Sequence, residues 1–198
     1  MKINEEKNVL LSNGEYPEIE ISGCEKMLKF AHIKTDKCSI TPEFAKFEFT
    51  DCEFKDLYFE DVSVAFSQIS GSKIHNLNIV RQSKSDNGAF VVCFQESDIE
   101  NMRVGSVLLH PISSLFFSQC KIKHLLLENG NFTNWEFIDT EIDILEVRDV
   151  RLIDKFNLSN VRIKKVVING QDCISNISTS QNTFLDIKGN SINIFNLN

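Results

Sequence analysis

The chain has 198 residues, 42% of them hydrophobic and 25% charged, with 3 Pro and 8 Gly; this is enough apolar material for one core and too little Pro and Gly for a disordered or low-complexity chain. Its formal net charge of −7 argues against direct binding to a phosphate backbone, which needs a positive surface to displace counterions. No apolar run approaches the roughly 20 residues of a membrane helix, and the polar Met1–Glu6 lacks the apolar centre of a secretory leader, so a cytoplasmic chain is expected.

In chain order, residues 1–43 read as an N-terminal cap and irregular first coil. The apolar spacing there is uneven, and Asn13-Gly14 is a turn signal. A period of five begins at Phe44 and continues through Phe49, Phe54, Phe59, Val64, Ile69, Ile74 and Ile79. At this composition eight apolar residues in a row on one grid arise by chance on the order of one time in a thousand. A second, mostly apolar or small series sits two residues earlier: Phe47, Cys52, Leu57, Val62, Ser67, Ser72 and Leu77. Two residues is the strand spacing that returns a side chain to the same face.

Arg81–Gly88 is polar and rich in turn formers and is expected to be a loop. Ala89, Phe94, Ile99, Val104 and Leu109 then keep the same phase. The register slips by three near His110–Ser114 and resumes at Phe117, running through Ile122, Leu127, Phe132, Phe137, Ile142, Val147 and Leu152. One extra residue moves it to Leu158, Ile163 and Ile168. Residues 44–168 are therefore the regular repeats and 169–198 the C-terminal coils and cap of one solenoid domain, 1–198.

A helix cannot hold this pattern. Members five apart fall about 140° apart around its axis, so apolar residues would cover every side. A single flat strand fails as well, because five is odd and the face would alternate. A chain that turns a corner every five residues satisfies both constraints: two residues of each short side point inward and the others outward. The expected fold is all-β, a β-solenoid whose path winds around a core with coils stacked near the strand spacing of about 4.8 Å.

Segments such as Cys52-Glu-Phe54-Lys-Asp56, Val62-Ser-Val64-Ala-Phe66 and Ser67-Gln-Ile69-Ser-Gly71 resemble the pentapeptide-repeat proteins. The resemblance covers roughly Phe44–Ile168. It implies a right-handed quadrilateral parallel β-helix with four repeats to a coil, hence about seven coils of roughly 20 residues, and, in the best-known branch of that family, an acidic rod that mimics DNA and binds type II topoisomerases. The chain departs from the family in the large residues at many first inward positions, such as Phe47, Leu57, Leu125 and Trp135.

The titratable residues read as surface or core rather than as chemistry. His32, His75, His110 and His124 show no metal-ligand spacing with Cys, and the six Cys form no CxxC and are expected to be free thiols. Cys52 and Cys120 fall in inward slots. No Gly-rich phosphate loop, zinc motif or nucleophile elbow is present, and no catalytic residue, cofactor or metal is assigned. The acid pairs Glu60-Asp61, Asp51 with Glu53, and Asp139 with Glu141 occupy outward positions.

The functional expectation rests on charge. Met1–Asp61 carries 14 acidic and 8 basic residues. Glu48, Asp51, Glu53, Asp56, Glu60 and Asp61 form a candidate partner-binding acidic band, with Asp51, Asp56 and Asp61 taking the same place on successive sides of a coil. Arg81, Lys84 and Asp86 are a candidate contact loop. The expectation is a non-enzymatic protein-binding solenoid, in its specialised form a DNA mimic, whose partner offers a basic groove; direct nucleic-acid or membrane binding is not expected, and a solenoid end offers a route to a homodimer. The competing readings are a carbohydrate-active or carbohydrate-binding β-helix, which needs an aromatic and carboxylate groove, and a passive scaffold or effector module.

Overall fold

The computed structural model describes residues 1–3, 8–22, 27–41, 46–62, 64–81, 90–106, 112–169, 174–179, 184–188 and 194–196. Among these residues there is no helix, and nineteen strands pair in parallel in one continuous sheet. The sheet winds as a β-solenoid of about seven turns, compatible with a pentapeptide-repeat fold.

The strand register measures each turn. Phe54 pairs with Ile74, 20 residues on. Ile74 pairs with Ile99, 25 on, and Ile99 with Ile122, 23 on. Ile122 pairs with Ile142 at 20 and Ile142 with Ile163 at 21. These lengths explain the behaviour of the five-residue grid. The five residues added between Ile79 and Phe90 preserve its phase; the three added between Val104 and Leu115 shift it by three.

The N-terminal segment, assigned from sequence to a cap and irregular coil, carries two long strands of the same stack. Val9–Ile21 pairs with Met27–Ile40, and Met27–Ile40 with Lys46–Thr50 and Glu53–Glu60, all at a separation of 19. A turn of 19 residues moves the grid by one per turn, so Phe30, Thr35 and Ile40 lie over Phe49, Phe54 and Phe59 without sharing their phase. Asn13-Gly14 is accordingly a corner within the strand Val9–Ile21, with Asn13 at φ 53°, and not a hairpin.

The turn from Cys120 to Phe137 carries four inward pairs, Cys120/Ile122, Leu125/Leu127, Gly130/Phe132 and Trp135/Phe137, all buried. Four pairs define four short sides. The corners are marked by backbone: Asn13, His32, Asp51, Gly71, Glu96, Gln119, Asp139 and Asn160 stack in one column, each with φ between 49° and 59°. Asn, Asp and Gly tolerate this left-handed region best, which gives the Asp and Asn residues near the ends of many repeats a conformational origin.

The inward slot just past this corner holds Cys52, Ser72, Ser97, Cys120 and Thr140, all buried. The hydroxyl of Ser72 donates to the carbonyl of Ser70 at 2.9 Å and accepts from the amide of Cys52 at 3.1 Å. Thr140 does the same for Ile138 and for the amide of Cys120, at 2.9 and 3.4 Å. A small side chain with a lone pair thus satisfies backbone groups that the corner removes from the ladder. Phe fills the roomier slots. Phe94, Phe117 and Phe137 stack at 4.9 and 4.7 Å with their planes within 6°, and Phe30 lies 4.8 Å from Phe49. These spacings match the separation of stacked strands, so one residue type repeated at equivalent slots forms a continuous column.

One inward assignment is corrected. Leu152 is only half-buried, and Ile153 takes the inward place at 3% exposure. The side between the corner residues Asp149 and Lys155 is one residue longer than the side between Asn129 and Asn134, so the extra residue enters before Ile153. Phe44, Ala89 and Leu109 lie outside the described residues.

Candidate functional site

The six carboxylates of the acidic band follow three of the four sides of one turn of the rod. Glu48 projects from the side whose inward residues are Phe47 and Phe49, Glu53 from the next side, and Glu60 follows the third, after Phe59. Asp51 and Asp61 occupy left-handed corners, with φ of 52° and 53°. Asp56 accepts a 2.7 Å hydrogen bond from Asn76 Nδ2, and Asn101 Nδ2 continues that ladder to Asn76 Oδ1 at 3.0 Å. A partner contacting one flat side would meet only part of the band; a partner that grips the rod would meet most of it.

The neighbouring turns offset part of this charge. Glu48 pairs with Lys29 and Lys46, each at 2.7 Å, and those two hydrogen bonds hold its carboxyl below the ordinary range. Lys34 approaches Glu53 at 3.8 Å, and His32 Nδ1 approaches Asp51 at 3.9 Å. The corner column through Asp51 also carries Glu96 and Asp139 and, among the described residues, no Lys or Arg. It forms an acidic edge that crosses the acidic turn at Asp51. Arg81 ends the strand Lys73–Arg81, whereas Lys84 and Asp86 lie outside the described residues.

The side after the acidic corner carries a pattern that the sequence reading missed. Its floor is Phe54, Ile74, Ile99 and Ile122, and a shallow trough of about 840 Å³ runs along it between two columns of charged side chains. In the first column Glu15, Lys34, Glu53 and Lys73 lie one above the other. Asp98, Lys121, Glu141 and Arg162 continue it. Charge alternates without exception through these eight residues. The second column, two residues on in each turn, runs Asp36, Lys55, His75, Glu100, then Lys123, Asp143, Lys164. Polar contacts bind it vertically: His75 Nδ1 lies 2.7 Å from Glu100, and Lys123 and Lys164 form ion pairs with Glu100 at 3.0 Å and with Asp143 at 2.5 Å. The Lys123 hydrogen bond is the main cause of the lowered Glu100 pKa.

No protein-family model, curated protein or solved structure matches this chain. The described geometry is therefore the basis for any functional reading.

The thiols and imidazoles are placed as follows. Cys38, Cys52 and Cys120 are buried and Cys93 is half-buried, all four free. Burial pushes the Cys120 thiol up to about 11 and raises the other three, the opposite of what a thiolate nucleophile needs. Cys24, Cys173 and His110 lie outside the described residues. Among the described residues no three His, Cys, Asp or Glu side chains converge as metal ligands.

A second charged cluster lies further along the rod. Glu128 is 6% exposed and lies over Gly105. Arg103 Nε donates to it at 2.5 Å and Arg148 Nη1 stands at 3.8 Å. Arg148 also donates to Glu146 at 2.8 Å, and His124 Nε2 lies 3.1 Å from the other oxygen of that carboxylate. Arg148 first, then His124, holds Glu146 below the ordinary carboxylate range. A depressed carboxylate contributes stability above its unfolded pKa, about 4.3, and that contribution is lost as pH falls through the folded value. The urea midpoint of the Glu146→Gln variant is accordingly expected to fall less than that of the parent between about pH 6 and pH 3; equal falls would show that the Glu146 contacts add nothing to folding.

Proposed function

We propose that this chain is a non-enzymatic, protein-binding β-solenoid of the pentapeptide-repeat kind, acting in the cytoplasm, and that its acidic turn engages a basic groove on a nucleic-acid-binding protein. The observation that carries this reading is the arrangement of Glu48, Asp51, Glu53, Asp56, Glu60 and Asp61 around a single turn, joined at Asp51 by the acidic corner column. A stiff rod with carboxylates along three of its four sides presents negative charge to a groove that closes around it from more than one side, as a groove shaped for duplex DNA does. Such charge steers encounter and fixes register. A type II topoisomerase is the partner that the resemblance supplies for a first test.

The test is a supercoiling assay and a direct binding titration with gyrase, using the wild-type chain and the triple variant Asp51→Asn, Asp56→Asn, Asp61→Asn. Asn tolerates the left-handed corners and can still accept from Asn76, so the fold is expected to persist. Wild type is expected to bind and to alter supercoiling, and the variant to bind at least about tenfold more weakly, with the difference shrinking in high salt. No binding and no effect of wild type at micromolar concentration would end the topoisomerase reading; equal binding by the variant would remove the acidic turn from the interface.

A further inference from the structure

The alternating face has a property that intramolecular stacking does not require. Alternation down the first column suffices to keep its like charges apart between successive turns. Across a turn, the two columns would be best arranged with opposite signs side by side, and Lys34 with Asp36 and Glu53 with Lys55 are so arranged. From the next turn onward the arrangement reverses. Lys73 is beside His75, Asp98 beside Glu100, and Lys121 beside Lys123. Glu141 is beside Asp143 and Arg162 beside Lys164. Residues two apart on one outward face are neighbours, so the four successive turns from Asp98/Glu100 to Arg162/Lys164 place charges of the same sign next to each other at a cost to the lone rod. The outcome is transverse bands, positive and negative in turn, repeating every two turns or roughly 10 Å.

We propose that this banded face is a homodimer interface, in which two rods lie face to face and antiparallel about a two-fold axis between the Asp98/Glu100 and Lys121/Lys123 turns. The symmetry follows from the charges. A parallel two-fold dimer would set each band against itself, positive on positive and negative on negative. An antiparallel dimer about the stated axis sets Asp98 and Glu100 against the partner copy's positive Lys121/Lys123 band. It likewise sets Lys73 and His75 against the negative Glu141/Asp143 band, and Glu53 against Arg162. Only Lys55 and Lys164 meet with like sign. Every pairing occurs twice, as an isologous interface demands. The six turns involved span roughly 24 Å, and the trough between the columns leaves room for interfacial water. The occupant is a second copy because the bands are complementary in sign to those of the same face turned end for end, whereas a uniformly basic or acidic partner would be repelled by every second band.

The experiment is sedimentation velocity and native mass spectrometry at low ionic strength on wild type, Lys73→Glu, Glu141→Lys, and an equimolar mixture of the two variants. Lys73 and Glu141 face one another only across the proposed interface, and neither belongs to the acidic turn. Each variant alone places like charge on like charge twice. In the mixture, the two negative groups of one chain meet the two positive groups of the other. Wild type is expected to dimerise, with a Kd that rises with salt; each single variant to weaken the dimer at least about tenfold; and the mixture to return to within about threefold of wild type as a heterodimer. Matching far-UV spectra would show the single variants folded. A wild-type chain that stays monomeric at low salt, single variants that dimerise as wild type does, or a mixture that fails to restore the dimer would each overturn the proposal.

Discussion

Replacing Trp135 with alanine is expected to cost roughly 3–5 kcal/mol of stability, the range for an aromatic side chain removed from a packed interior. Trp135 is fully buried and joins successive turns. Its ring stacks on Phe156 at 5.1 Å and 12°, meets Phe132 edge-on at 5.6 Å, and lies 6.2 Å from both Phe117 and Phe137. These four rings belong to strands of three successive turns, Leu115–Ser118, Asn131–Ile138 and Leu152–Ser159. A solenoid turn contacts only its neighbours, so the cavity weakens the two interfaces flanking it more than any others. The thermal midpoint is expected to fall by roughly 10 °C, and amides of Asn131–Ile138 and Leu152–Ser159 to lose exchange protection before those of Glu53–Glu60. Trp135→Phe, which keeps a ring in the stack, is expected to cost clearly less than the alanine variant. Uniform loss of protection along the whole rod would mean that the turns unfold as one unit and that the nearest-neighbour description fails.

How much of this was legible in the sequence depends on how far apart the interacting residues lie. The inward pairs are two residues apart and recur every five, so Phe47/Phe49, Leu57/Phe59 and Leu125/Leu127 could be read directly, and all are buried. The turns before Phe47 escaped because a 19-residue turn moves the phase by one: Leu28/Phe30 and Cys38/Ile40 are inward pairs that no fixed grid through Phe49 can reach. The shift at Ile153 was placed one residue late for a related reason, since Leu152 and Ile153 are both apolar and periodicity cannot choose between them. The charged columns were the least visible. Lys73, Asp98 and Lys121 are neighbours in space but 25 and 23 residues apart in the chain, and unequal insertions hide the spacing until each turn is aligned on its floor residue. The signal was available: once Ile74, Ile99, Ile122 and Ile142 are set in one column, the residues on either side of them alternate in sign. The acidic band was visible as composition, but its meaning changed. Asp51 and Asp61 stand where the backbone needs a left-handed residue, so part of the spacing by five is conformational in origin.

The architecture and the interface both require that adjacent residues of one short side face opposite ways, and the neighbours Phe54 and Lys55 test that requirement. Phe54 is 2% exposed, lies between Thr35 and Ile74 in the register, and packs 5.5 Å from Phe49. Lys55 is exposed and belongs to the second charged column. Phe54→Ala removes ring contacts to both neighbouring turns and opens a cavity that the hydrogen-bonded sides cannot close, because their strands are held at fixed spacing above and below; the expected cost is roughly 3–5 kcal/mol. Lys55→Ala removes one side chain that water already solvates, and is expected to stay within about 0.5 kcal/mol. In the homodimer it also removes a group that meets the like-charged Lys164, so it should leave dimerisation intact or strengthen it, while Phe54→Ala lowers stability at any protein concentration. Urea titrations of both variants at two protein concentrations separate these effects. Equal losses at the two positions would show that the side does not alternate inward and outward there, and the inner aromatic columns and outer charged ones would fall together.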